Sequence, residues 1–118
     1  MDYTDLITKK ELGYLICTAL EGGSNYWYMI EKSNFKEVGA KFYHEVLLDP
    51  KGFMVISDST GEEAFEPVKV TLEDVLKGLE LFVKERPDLV REVIQGSWDA
   101  DHADVFFQYV VLKEHIFG

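Results

Sequence analysis

The sequence predicts an α+β domain: a small antiparallel sheet of about three to four strands, with helices packed on one face and the C-terminal helix central and buried. Three observations carry this. The strand-like segments are short and, apart from the chain end, lie before residue 71, with one clear helical run ahead of them and three after. There is no strand–helix–strand alternation of the parallel kind, so helices should cover one side of an antiparallel sheet. The last helical run, "DVFFQYVVL", is apolar on nearly every side, and helices of that kind are buried.

Each element has its own signal. Thr8 and Glu11 form a T-x-x-E capping box, so a helix follows over about 9–21. Leu12, Leu15, Ile16, Ala19 and Leu20 share one face at helical spacing, with Cys17 at its edge as a small buried hydrophobe. Gly22 or Gly23 supplies a left-handed stop. Tyr26 to Glu31 is aromatic-rich and reads as a strand, which puts Tyr26 and Tyr28 on one face and Trp27 on the other. Residues 33–39 read as a loop, and 40–48 as a short helix ended by Pro50-Lys51-Gly52.

A hairpin follows, with strands over 53–57 and 65–70 around a polar turn at 58–63, and Pro67 marks an edge or a bulge. Thr71 caps a helix over about 72–85, in which Leu72, Val75, Leu76, Leu79, Phe82 and Val83 fall within a narrow arc. Arg86-Pro87-Asp88 breaks it, and a short helix to Gln95 turns Leu89, Val90, Val93 and Ile94 inward before Gly96 ends it. The last helix runs from Asp99 or Asp101 to about Lys113, and "HIFG" adds a short strand.

The 118 residues are 47% hydrophobic, enough for one core, and no linker or repeat divides them, so residues 1–118 read as one domain. No apolar run approaches the roughly 18 residues of a membrane span, and the N-terminus lacks a secretory pattern. With Cys17 alone there is no intrachain disulfide, and the expected location is the cytoplasm.

Twelve basic against twenty-two acidic residues give a net charge of -10, which argues against direct binding to nucleic acid or anionic lipid. Solubility alone would explain it. A sharper reading is an acidic surface for a basic partner. Asp58, Glu62, Glu63 and Glu66 fall within residues 58–66, and Asp99, Asp101 and Asp104 within 99–104, with no base in either stretch.

Three residues of the last helix, Asp101, Asp104 and Gln108, lie within roughly a 60° arc and form one polar stripe. It either decorates the helix N-terminus and bonds to a neighbouring loop, or forms one wall of a pocket. Asp99, Asp101, His102 and Asp104 are plausible ligands for a hard cation, but the calcium-loop pattern fails, and neither HExxH nor a cysteine cluster is present; no metal and no cofactor is expected. His44, His102 and His115 stand beside no clear nucleophile, and there is no G-x-S-x-G elbow, so an enzyme is not expected. "EGGSN" follows a helix and matches no phosphate fingerprint, although its backbone amides with Ser24 and Asn25 offer donors to an anion. Tyr26, Trp27, Tyr28 and Trp98 are aromatics on which a base could stack.

Two segments together, "TALEGGSNYW" (18–27) and "DADHADVFFQYVVLKEHIFG" (99–118), resemble a family of small phage- and prophage-associated proteins that pair a G-G-x-N-Y-W element with a C-terminal D-A-x-x-A-D-x-x-x-Q helix; "VTLEDVLKGLELF" (70–82) fits the helix between them. The resemblance covers most of the chain outside 33–50. It implies a phage or mobile-element setting in a bacterial host, a small α+β fold, and a shared site or core at Gly23, Asn25, Tyr26, Trp27, Asp101, Asp104 and Gln108.

Three functions follow as expectations. The first is a non-enzymatic, anti-defence protein that sequesters a small nucleotide-like ligand through Gly23, Ser24, Asn25, Tyr26, Trp27, Trp98, Asp101, Asp104 and Gln108. The second is an acidic, nucleic-acid-mimicking inhibitor that meets a basic surface of a host defence protein or nuclease through Asp58, Glu62, Glu63, Glu66 and Asp99. The third is an accessory structural phage protein. A homo-oligomer built on aromatics near Tyr26–Tyr28 fits the composition equally well.

Overall fold

The computed structural model describes residues 7–118. Helix α1 (Lys9–Thr18) starts on the expected capping box: Thr8 Oγ1 accepts from the Glu11 N–H at 3.1 Å, and the Glu11 carboxylate accepts from the Thr8 N–H at 3.3 Å. The helix does not end on a left-handed glycine. It widens into one turn over Ala19–Gly23, closed by an i→i+5 hydrogen bond from the Ser24 N–H to the Ala19 carbonyl at 2.9 Å. Gly23 is required there for closeness: a Cβ on it would stand 2.9 Å from the carbonyl oxygen of Ala100.

The sheet has three antiparallel strands in the order β1 (Tyr28–Ser33), β2 (Phe53–Asp58), β3 (Val68–Thr71). Strand β1 begins two residues later than the aromatic run suggests. Tyr26 and Trp27 belong to a turn in which the Trp27 N–H donates to the Ser24 carbonyl. The face alternation expected of them therefore fails: Trp27 and Tyr28 are both buried, and Tyr26 is half exposed. β3 is an edge strand, as Pro67 indicates, but the bulge lies in β1, where Glu31 has no partner between Ile30 and Lys32. Met54, Ile56 and Val70 face the core, while Met29, Lys32 and Lys69 stay on the open face.

Helix α2 (Tyr43–Leu48) forms as expected. Its first turn is fastened by Glu45, which accepts from the Lys41 and Phe42 N–H groups at 2.7 and 2.9 Å. Helices α3 (Leu72–Glu85), α4 (Pro87–Gln95) and α5 (Ala100–Leu112) follow. In α3 the Asp74 carboxylate accepts from the Thr71 N–H at 2.8 Å. Val75, Leu79 and Phe82 are buried, but Leu76, counted in the same arc, is 49% exposed. In α4, Val90 and Val93 are buried, and Gly96 ends the helix at φ 80°.

All ten residues from His102 to Val111 are buried, and α5 packs against α1, the wide turn, α3 and β3. The fold is therefore α+β, with helices on one face of the sheet and α5 at the centre. "HIFG" forms no strand: its backbone groups pair with the side chain of Gln108. Among the described residues no helix is long and apolar enough to cross a membrane.

Candidate functional site

Asp104 sits on the second turn of α5, 7% exposed, and gathers the first motif around its carboxylate. Oδ1 accepts from Ser24 Oγ and from Trp27 Nε1, each at 2.7 Å. Oδ2 accepts from Tyr26 Oη at 2.5 Å and from Gln108 Nε2 at 3.3 Å. Four donors therefore share the two carboxylate oxygens. The turn after α1 places Ser24, Tyr26 and Trp27 because Gly23 lets it approach the start of α5. Burial and the hydrogen bond to Asp104 push the pKa of Tyr26 well above that of a free phenol. Burial pushes that of Tyr28 up to about 12, and its hydroxyl donates to the Leu20 carbonyl at 2.6 Å.

Gln108 extends the network to the chain end. Its Oε1 accepts from the Ile116 and Phe117 N–H groups at 2.9 and 2.8 Å, and its Nε2 donates to the Phe117 carbonyl at 3.1 Å. The Phe117 ring then stacks on Trp27, 5.6 Å between centroids and 15° between planes. Of the residues expected to bind a ligand, the structure brings together Ser24, Tyr26, Trp27, Asp104 and Gln108, with Gly23 as the hinge. Asn25 and Asp101 are exposed and outside the network, and Trp98 is half-buried with no part in it. The polar atoms of Asp104 and Gln108 bond to one another and to their own chain.

His102 stands apart from the stripe. Its Nε2 lies 2.7 Å from Glu92 Oε2 on α4, and its Nδ1 lies 3.0 Å from Asp99 Oδ1. Burial pulls its pKa down, but the hydrogen bonds to Asp99 and Glu92 outweigh that and raise it. Asp99 also caps α5 by accepting from the Asp101 N–H at 3.0 Å, and its pKa is lowered by His102 first and then by that N–H. Among the described residues no group of three or more His, Cys, Asp or Glu side chains is placed to hold a metal ion.

The 58–66 acids divide by role. Asp58 organises the loop, accepting from the Thr60 and Ala64 N–H groups at 2.6 and 2.5 Å; bonding to Thr60 is the main reason its pKa is lowered. Glu63, at φ 51°, and Glu66 line a groove of about 430 Å³ on the open side of the sheet, but Glu62 does not. The groove also holds Glu31, Met29, Ser57 and Phe65, and among the described residues no base lines it. Ser57 is 7% exposed, and its Oγ has no hydrogen-bond partner among the described residues, a state that costs about 1–3 kcal/mol.

No family model, no curated protein and no solved structure matches the chain.

Two features lay beyond sequence reasoning. Glu31 reads as an ordinary strand residue, and only the bulge turns it to the groove. The other is a cavity of about 240 Å³ beside Cys17, walled by Tyr28, Phe35, Phe42 and Tyr43, with Lys41 at its edge. Half of its lining comes from residues 35–44, a segment with no recognisable motif. Burial first, and then Glu21, raises the pKa of the half-buried Cys17, which disfavours its thiolate.

Proposed function

We propose that this is a non-enzymatic binding protein that engages a basic surface of a protein partner. The observation that carries this reading is the groove between β1 and the 59–67 loop. It gathers Glu31, Asp58, Glu63 and Glu66 with no compensating base in a chain of net charge -10. Exposed carboxylates placed so attract a surface that otherwise meets phosphates, and steer its approach. The phage setting implied by the two end motifs makes the nucleic-acid groove of a host nuclease or defence protein the fitting target.

Direct binding to a panel of basic nucleic-acid-binding proteins tests this. Binding should weaken steeply between about 0.05 M and 1 M salt, where the Debye length falls to about 3 Å. Duplex DNA should compete, and Glu63→Lys with Glu66→Lys should abolish binding. Binding that ignores salt and both charge reversals overturns the reading.

A second reading keeps the small nucleotide-like ligand and moves it to the cavity beside Cys17. What supports it is the pair Phe35 and Tyr43, whose ring centroids lie 4.9 Å apart in the wall, with Lys41 as well as Glu21 in the lining. Nucleotides should then raise the melting temperature, and Phe35→Ala should remove that rise while leaving a folded protein. No rise with any linear or cyclic nucleotide ends this reading.

A further inference from the structure

Ser57 is the only buried side-chain polar group among the described residues without a partner, and it lines the acidic groove. Strand alternation explains where it points. Ile56 beside it is fully buried in the core, so Ser57 projects to the opposite, open face of the sheet, opposite Met29. The 59–67 loop covers it there. A buried hydroxyl with no partner, in a groove lined by four carboxylates, lacks a hydrogen bond that a ligand can supply.

The groove is amphipathic. Glu31, Glu63 and Glu66 supply charge, and Asp58 adds more while holding the loop. Met29, 49% exposed, together with Phe65 and Pro67, supplies apolar surface. The lining excludes an anion, and no metal-holding group of three ligands is formed among the described residues. A side chain with a long aliphatic stem and a cationic head matches both halves.

We propose that this groove receives a single arginine side chain of the basic partner. Its guanidinium sits among Glu31, Glu63 and Glu66 and donates to Ser57 Oγ, and its stem lies along Met29 and Phe65. Arginine suits the site better than lysine. Its planar fork carries five donors, enough for the hydroxyl and the carboxylates at once, and it is more weakly hydrated and lies well against an aromatic face. The assignment rests on the reading that the partner is basic, and adds where and by which side chain it is held.

The test uses three short peptides that differ only in carrying arginine, lysine or the uncharged isostere citrulline. The arginine peptide should shift the amide resonances of Met29, Ser57 and Phe65, bind more tightly than the lysine peptide, and lose binding when replaced by citrulline. Ser57→Ala should weaken it about five-fold while the melting temperature holds or rises, so that unfolding is not the cause. Glu63→Gln with Glu66→Gln should weaken it further. Equal affinity for wild type and Ser57→Ala, or shifts that fall outside the groove, overturn the assignment. If a basic protein still binds in a salt-sensitive way while the peptide misses the groove, the arginine site falls and the broader reading stands. If neither binds at low salt, both fall.

Discussion

The indole N–H of Trp27 donates to Asp104 Oδ1 at 2.7 Å across 77 residues of sequence, and this bond joins the two motifs that stand out at either end of the chain. It is completely desolvated: Trp27 is fully buried and Asp104 nearly so. With no cationic partner among the described residues, this buried carboxylate is tolerable only because donors surround it. Here they are Ser24, Tyr26, Trp27 and Gln108.

Asp104→Ala should therefore destabilise the fold by about 2–4 kcal/mol, because it strands several buried donors at once. Ser24→Ala removes one donor and should cost about 1 kcal/mol. Urea unfolding measures both. A pocket wall would behave differently, since Asp104→Ala would then leave stability unchanged.

Gln108 makes a second prediction. Its amide mimics a peptide group, pairing with both the N–H and the carbonyl of Phe117. Gln108→Leu keeps much of the volume but removes every one of these bonds. The amides of Ile116 and Phe117 should exchange with solvent far faster, and the tail should lift from Trp27. Tryptophan fluorescence should shift to the red as Phe117 leaves the indole. The cost should be about 2 kcal/mol.

The helices were legible because their signals are local. The Thr8–Glu11 box, the Thr71 start and the greasy run of α5 each need only a few neighbouring residues. The stripe of Asp104 and Gln108 was legible as a polar line on an apolar helix, but the identity of its partners was not. The Trp27 turn and the Phe117 backbone are brought to it by tertiary packing, 77 and 9 residues away in sequence. Asp101 shares the arc but lies one turn nearer the exposed helix start. The wide turn at Ala19–Gly23 also escaped, since two glycines after a helix more commonly mark a left-handed stop.

His102 predicts a pH dependence. Its folded pKa is raised above its unfolded value, so its contribution is fully present below about pH 6.5 and is lost as the pH rises through the folded pKa. Asp99 has the opposite sign: its folded pKa is lowered, and its contribution disappears as the pH falls below the carboxylate range. Both partners are substantially exposed, so solvent screens the pairs and the slope should be shallow. The two nitrogens adapt to either state. The imidazolium donates to Glu92 and Asp99, while the Asp99 N–H, 3.2 Å from Nδ1, suits the neutral ring. Melting temperatures measured from pH 5.5 to 8.5 should decline for the wild type. They should stay flatter across the same window for His102→Gln.

The final prediction concerns how closely α3 and α5 pack. A Cβ on Gly78 would stand 2.6 Å from Val110 Cα and 2.7 Å from Val110 N, backbone atoms that cannot swing aside. Gly78→Ala must push the two helices apart, although alanine is otherwise the better helix former. Overpacking costs about 1–3 kcal/mol against a helix-propensity gain of about 1 kcal/mol, so the net effect should be destabilising. Gly22→Ala is the control. Among the described residues nothing lies within 4 Å of its Cβ position, and its φ lies outside the left-handed region. Alanine there should hold or raise stability by about 0.4–1 kcal/mol, through a less flexible unfolded chain. Chemical denaturation of the two variants side by side checks both signs. A Gly78→Ala protein as stable as wild type would show that α3 can slide off α5, and that the contact through Gly78 does not fix the position of the central helix.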